Sequence, residues 1–219
     1  MAFPGGKGKS FQHIINHMPP HKFYVEPFVG SGAIVASKKP ALRTLINDIN
    51  PKFINSLDLD IEGLESCTGD AMDLLARDIF DKDTLVYCDP PYLPTVRRRA
   101  KIYQHEFAVH QHEQLISRLI ELDCMVMVSG YDNELYNTTF KNWNKYCYQV
   151  QSQSGPRTET IWFNYELTGE LHDTRYLGKC FRERQDIKRR LSRLKEKFKA
   201  MNPCERAELM DWLQQTYSR

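Results

Sequence analysis

Two kinds of apolar pattern alternate along the first three quarters of the chain. Short continuous runs read as buried strands: Phe23–Phe28, Arg43–Ile46, Thr84–Cys88 and Met125–Ser129. Between them lie stretches with apolar positions at helical spacing, clearest in Leu115, Ile116, Leu119 and Ile120 of the segment 110–122. Shorter helices are expected over 9–17, stopped by Met18-Pro19-Pro20, from Gly32 to about Lys38, from Pro51, and over 71–77. Pro51 suits a first helical turn, where no backbone donor is needed. Tyr146–Val150 and Thr160–Tyr165 read as a final strand pair. Strands alternating with helices predict an α/β fold, a Rossmann-like sheet, mostly parallel, with helices on both faces.

From about Gly169 the pattern changes. Ile187, Leu191, Leu194, Phe198 and Met201 follow steps of four and three, the stripe of an amphipathic helix. Asn202-Pro203 then offers a cap and a first-turn proline, and Ala207, Met210 and Leu213 mark a second helix. The expected organisation is a domain over 1–168 and a basic C-terminal helical hairpin over 169–219. Its apolar stripe is expected to pack within the chain or against a second copy as a homodimer.

Composition narrows the class. Hydrophobic residues make up 41% of the 219, enough for a globular core. No apolar run is long enough to span a bilayer, and Met1–Gly6 lacks the apolar core of a secretion signal, so a cytoplasmic protein away from membranes is expected. The six cysteines are scattered without a C-x-x-C pair and read as reduced. His110 and His112 come nearest to a ligand pair but have no carboxylate cluster nearby, and no metal site is expected.

The net charge of +2 hides an asymmetry. Residues 175–199 hold eleven Lys or Arg against three Asp or Glu, leaving the remainder of the chain net negative. Arg97-Arg98-Arg99 and Lys101 form a second basic cluster. Two such patches suit a polyanion, although a solvated helix face could carry the C-terminal one.

The chemistry gathers at strand ends. Asp89-Pro90-Pro91-Tyr92 follows the run 84–88 directly, and ligands of open α/β sheets collect at the carboxyl ends of strands. Asp89 can accept from an amine N–H. The prolines stiffen the loop and leave the Pro90 carbonyl as a second acceptor. Tyr92 offers a ring for stacking a flat base. Earlier, Glu26-Pro27-Phe28-Val29-Gly30-Ser31-Gly32 runs from a strand through a glycine turn into a helix. A glycine pair alone is a weak signal, and no third glycine completes a dinucleotide fingerprint. Asp48, ending the next strand, is placed for ribose hydroxyls, and Asp70 for an adenine amino group. Taken singly, each acid could be a helix cap.

Together these segments resemble the Dam-type, alpha-group DNA adenine-N6 methyltransferases over roughly residues 1–166. Phe3-Pro4-Gly5-Gly6-Lys7 is similar to that group's N-terminal lysine motif, Glu26–Gly32 to its first S-adenosylmethionine motif, and Asp89–Tyr92 to its catalytic motif. The resemblance implies cofactor contacts from Phe3, Gly6, Lys7, Pro27, Phe28, Gly30, Gly32, Asp48, Asp70, Ala71 and Asp89. It implies catalysis by Asp89, Pro90, Pro91 and Tyr92 on an adenine flipped from double-stranded DNA. Arg97, Arg98, Arg99, Lys101 and Tyr103, with Lys188, Arg189 and Arg190, are the expected DNA contacts. Only 56 residues separate Gly32 from Asp89, too few for the recognition insert usual in the group. An RNA adenine or DNA cytosine-N4 substrate, or an inactive nucleic-acid-binding protein on the same fold, would share much of this pattern.

Overall fold

A computed structural model describes residues 6–94, 107–152 and 155–217. The chain divides into two compact units, residues 1–174 and 175–219.

Among the described residues, the first unit is built on seven strands: β1 Phe23–Glu26, β2 Arg43–Asp48, β3 Leu64–Thr68, β4 Thr84–Cys88, β5 Met125–Tyr131, β6 Asn144–Ser152 and β7 Gly155–Phe163. They form one sheet in the order β3-β2-β1-β4-β5-β7-β6. The pairs among β1 to β5 are parallel, and β7 lies antiparallel to both β5 and β6. The order reverses between β1 and β4, and a ligand crevice belongs at such a switch point, outside the carboxyl ends of the strands.

Six described helices accompany the sheet: α1 Phe11–Ile15, α2 Ala33–Ser37, α3 Pro51–Ser56, α4 Ala71–Leu75, α5 Val109–Glu121 and α6 Glu134–Thr139. Strand alternation sorts the core into two faces. Val25, Val86, Cys88, Val126 and Val128 join Leu74 and Leu75 of α4, Leu115, Ile116 and Leu119 of α5, and Tyr136 of α6 in one apolar cluster. Tyr24, Leu85, Tyr87, Met127 and Ile161 point the other way, and α1 and α2 bury Ile14, Ile15, Ile34 and Val35. Burying each such aliphatic side chain stabilises the fold by about 1.5–3 kcal/mol.

Several element boundaries differ from the sequence reading. β1 stops at Glu26 instead of Phe28, with Pro27 unable to donate to a ladder. β5 runs on to Tyr131 because β7 pairs with it as far as Tyr131 and Glu159. α6 was not expected: it opens at Asn133, whose side chain accepts from Tyr136 N, and six residues are too few to show a period. The last residues of this unit are tied back, with His172 N donating to Met18 O and Asp173 Oδ2 accepting from Lys39 N.

The second unit holds helix α7, Phe181–Ala200, and helix α8, Pro203–Tyr217. Neither contains a buried residue. Along the apolar stripe Ile187, Phe198 and Met201 are half-buried, whereas Leu191 is 40% exposed and Leu194 55%. Lys188, Arg189 and Arg190 are exposed on α7. Among the described residues, no helix is long and apolar enough to cross a membrane.

Candidate active site

Side chains at and around the carboxyl ends of the strands converge on Asp89, immediately past β4. Its Oδ1 accepts from Ser129 Oγ at 2.7 Å and meets Lys7 Nζ at 2.8 Å. Ser129 spends its proton on Asp89, so Tyr87 OH, 2.9 Å away, is the donor to Ser129 Oγ. Oδ2 has no hydrogen-bond partner among the described residues. Asp89 thus carries one oxygen held by the protein and one open to a ligand. Burial pushes its carboxyl above the usual range, opposed by the Lys7 ammonium and the Ser129 hydroxyl.

Lys7 is 3% exposed and is surrounded by acceptors. Besides Asp89 it reaches Glu159 Oε2 at 3.3 Å, donates to Tyr92 OH, and lies 4.7 Å from the centre of the Tyr92 ring. Desolvation pulls its pKa down, but Asp89 and Glu159 outweigh this, and the ammonium is held well above its ordinary value. Glu159 also accepts from Tyr92 OH at 3.2 Å and Tyr148 OH at 3.1 Å. Lys7 therefore stands beside the tetrapeptide Asp89–Tyr92.

Tyr92 differs from its expected part. The ring is 6% exposed, with Lys7 over it and Tyr131 at 4.4 Å, so no open stacking face is presented. Tyr92 and Tyr131 instead border a small pocket, open to solvent, whose lining includes Pro90, Leu93, Ser129 and Asn133. Asn133 Nδ2 donates to Tyr131 O at 2.9 Å and fixes that edge.

The expected cofactor residues meet next to this cluster. Gly30 and Gly32 adopt φ of 49° and 69°, the left-handed region that glycine enters without a Cβ penalty. Asp48 clamps the turn: its Oδ2 accepts from Gly30 N and its Oδ1 from Asn50 N, both at 2.9 Å. Asn47 Nδ2 donates to Pro27 O and Gly69 O at 3.0 Å each, tying the loop after β1 to the loop after β3. Asp70 is exposed beside Gly69 and caps α4 through Met72 N, while Ala71 is buried. Both Asp48 oxygens accept from backbone N–H groups, and Asp70 accepts from Met72 N through Oδ1. These loops offer backbone amides and carboxylates to a nucleoside bearing an amino-acid tail, and the donor set fits that cofactor class.

Glu26, at the end of β1, is 2% exposed and accepts from Tyr24 OH at 2.8 Å. Burial lifts its carboxyl to about 8, with the nearby Asp89 adding to the rise and Tyr24 and Lys38 opposing it.

The sequence reading missed Glu159, Ser129, Tyr131, Tyr87 and Tyr148. An acid inside the strand run Thr158-Glu159-Thr160-Ile161-Trp162 was the one available signal, since a carboxylate among strand residues demands a partner. Phe3 and the cluster Arg97, Arg98, Arg99, Lys101 and Tyr103 lie outside the described residues.

Residues 3–73 match the family described as D12 class N6 adenine-specific DNA methyltransferase. No curated protein sequence matches the chain. The structure is similar to that of the N-methyltransferase NodS from Bradyrhizobium japonicum WM9 at 11% identity, covering 73% of this chain and 95% of that one, with a TM-score of 0.53. It is also similar to TrmK of M. capricolum, solved with S-adenosyl-homocysteine, at 9% identity over 94% of both chains, with a TM-score of 0.49. The fold is the Rossmann-like methyltransferase sheet expected from the sequence. The match over 3–73 supports S-adenosylmethionine-dependent methyl transfer.

Proposed function

We propose that this chain is a DNA adenine-N6 methyltransferase that moves a methyl group from S-adenosylmethionine to the exocyclic amine of a flipped adenine. The half-satisfied carboxylate of Asp89 carries this reading. Lys7 and Ser129 hold Oδ1, and Oδ2 remains to accept from the substrate amine. The family match over 3–73, which is adenine- and DNA-specific, favours this substrate over RNA or cytosine.

S-adenosylmethionine supplies an electrophilic methyl on a sulfonium, so the protein contributes chiefly orientation and electrostatics. The loops around Gly30, Gly32, Asp48 and Asp70 would hold it. Asp89 Oδ2 and the Pro90 carbonyl accept the two N–H bonds of the amine, directing its lone pair toward the methyl. Pro90 and Pro91 keep competing backbone donors away from those acceptors. Tyr92 and Tyr131 border the base with apolar ring surface, and Leu93 adds to that wall.

Nucleic-acid affinity is assigned to the exposed basic side chains of α7, Lys188, Arg189 and Arg190 among them, and to the cluster 97–101. Phosphate contacts of this kind position the duplex and carry little sequence information. Purified protein incubated with tritiated S-adenosylmethionine should label adenine-containing duplex DNA at N6. Label confined to RNA or to cytosine N4, or no label at all, would overturn the assignment.

A further inference from the structure

Glu159 has no part in the chemistry above, yet it contacts Lys7, the ammonium that holds Asp89, together with Tyr92 and Tyr148. Its side chain is 9% exposed, and both oxygens are committed: Oε1 to Tyr92 OH, Oε2 to Tyr148 OH and Lys7 Nζ. We propose that Glu159 is a positioning residue for methyl transfer, one that draws Lys7 aside so that Asp89 Oδ2 stays open to the substrate amine. This role rests on the activity proposed above and deepens it.

The geometry gives the reason. A buried ammonium must be surrounded by acceptors, and Lys7 has three donors to place. With Asp89 as its only carboxylate, Lys7 would settle across both Asp89 oxygens and close the amine site. Glu159 on β7 supplies a second carboxylate. Lys7 is stretched between the two, 2.8 Å from Asp89 Oδ1 and 3.3 Å from Glu159 Oε2. One ammonium then faces two carboxylates, and Asp89 keeps uncompensated negative charge where the amine nitrogen becomes positive. Tyr92 is oriented by the same acid: its hydroxyl accepts from Lys7 and donates to Glu159, which sets the ring at the edge of the cavity. The titratable groups facing Lys7 are Asp89, Glu159, Tyr87, Tyr92, Tyr131 and Tyr148.

Glu159→Gln removes the charge and keeps an acceptor of similar size. We expect kcat to fall at least tenfold while cofactor affinity by calorimetry changes less than threefold. The acid limb of the rate profile should move to lower pH, because Asp89 loses a like-charged neighbour while keeping Lys7. A merely structural role would leave that limb in place. Glu159→Asp, which keeps the charge on a shorter side chain, should recover part of the rate and covers the case in which Glu159→Gln does not fold. The double variant Lys7→Met/Glu159→Gln should lose no more than Lys7→Met alone. In spectra of 13C-lysine-labelled protein, the Lys7 titration should move to lower pH in Glu159→Gln. Wild-type rate and pH profile in Glu159→Gln, additive losses in the double variant, or an unmoved Lys7 titration would each overturn this role alone. A wild-type protein that methylates neither DNA nor RNA overturns the proposed activity and this role together.

Discussion

Lys7 Nζ lies 2.8 Å from Asp89 Oδ1, on the oxygen that Ser129 also holds. The pair joins the start of the chain to the end of β4 and leaves the other Asp89 oxygen to the ligand. Asp89→Asn keeps the size and removes the charge, and its amide NH₂ would point a donor at an amine that needs an acceptor. Methyl transfer should fall by roughly 10²–10⁴-fold, the usual scale for losing a positioned proton-transfer or charge-stabilising group. Cofactor affinity should stay within a few-fold. Tritium transfer and calorimetry on one preparation would check both, and near-normal turnover would remove Asp89 from the mechanism.

Glu26 makes stability depend on pH. Its carboxyl sits at about 8 in the folded chain against an ordinary 4.5, so the folded form holds a proton that the unfolded form has released. The contribution is full below 4.5 and disappears as pH rises through 8. Urea melts at about pH 5 and about pH 8.5 should show wild type losing on the order of a few kcal/mol across that window. Glu26→Gln should lose distinctly less. Asp89, also raised, acts in the same direction in both proteins and cancels in the comparison.

Gly32 tests the turn. At φ 69° an alanine would enter the left-handed region at a cost of roughly 1–2 kcal/mol, and its Cβ would fall 2.5 Å from Leu57 Cδ2. Leu57 can swing aside, so strain in the backbone dominates. Gly32→Ala should weaken cofactor binding more than it lowers the melting temperature, because the turn can relax only by leaving the conformation that Asp48 clamps. Equal cofactor affinity in the two proteins would detach this turn from cofactor binding.

How much of this was legible in the chain varies from residue to residue. β4 declared itself because its five successive residues are all buried and none of them carries a charge. Asp48 could be placed at a strand end because the run Arg43–Ile46 leads directly to it, whereas Asp70 forms the helix cap that was its other reading. Glu159 could not: its meaning depends on Lys7, Tyr92 and Tyr148, which only the folded sheet assembles. The extension of β5 to Tyr131 was hidden for a related reason, since pairing with β7 overrides the weak strand preference of Ser129-Gly130. The stripe on α7 shows the opposite failure. Its periodicity was plain, yet a period specifies a face and says nothing about what covers it.

Charge on α7 should govern affinity for DNA independently of the chemistry. Reversing Lys188, Arg189 and Arg190 to Glu removes three exposed cations. Binding to duplex DNA should weaken at low salt, and the slope of log affinity against log salt should become shallower by about 0.9 for each phosphate that is no longer neutralised. Binding of S-adenosylmethionine should not change. An unaltered salt slope would move the DNA-binding surface elsewhere.

The bridge from Lys7 to Glu159 also bears on how the chain is made. A ribosome releases Lys7 well before Glu159, which follows six of the seven described strands, so the ammonium waits in water until β7 pairs into the sheet. Pairings between such distant parts of a chain form slowly. A polypeptide cut short between Asp89 and β7 would hold the glycine turn and Asp89 yet lack the counterweight to Lys7. Such truncated chains should therefore be impaired in methyl transfer until β7 completes the sheet.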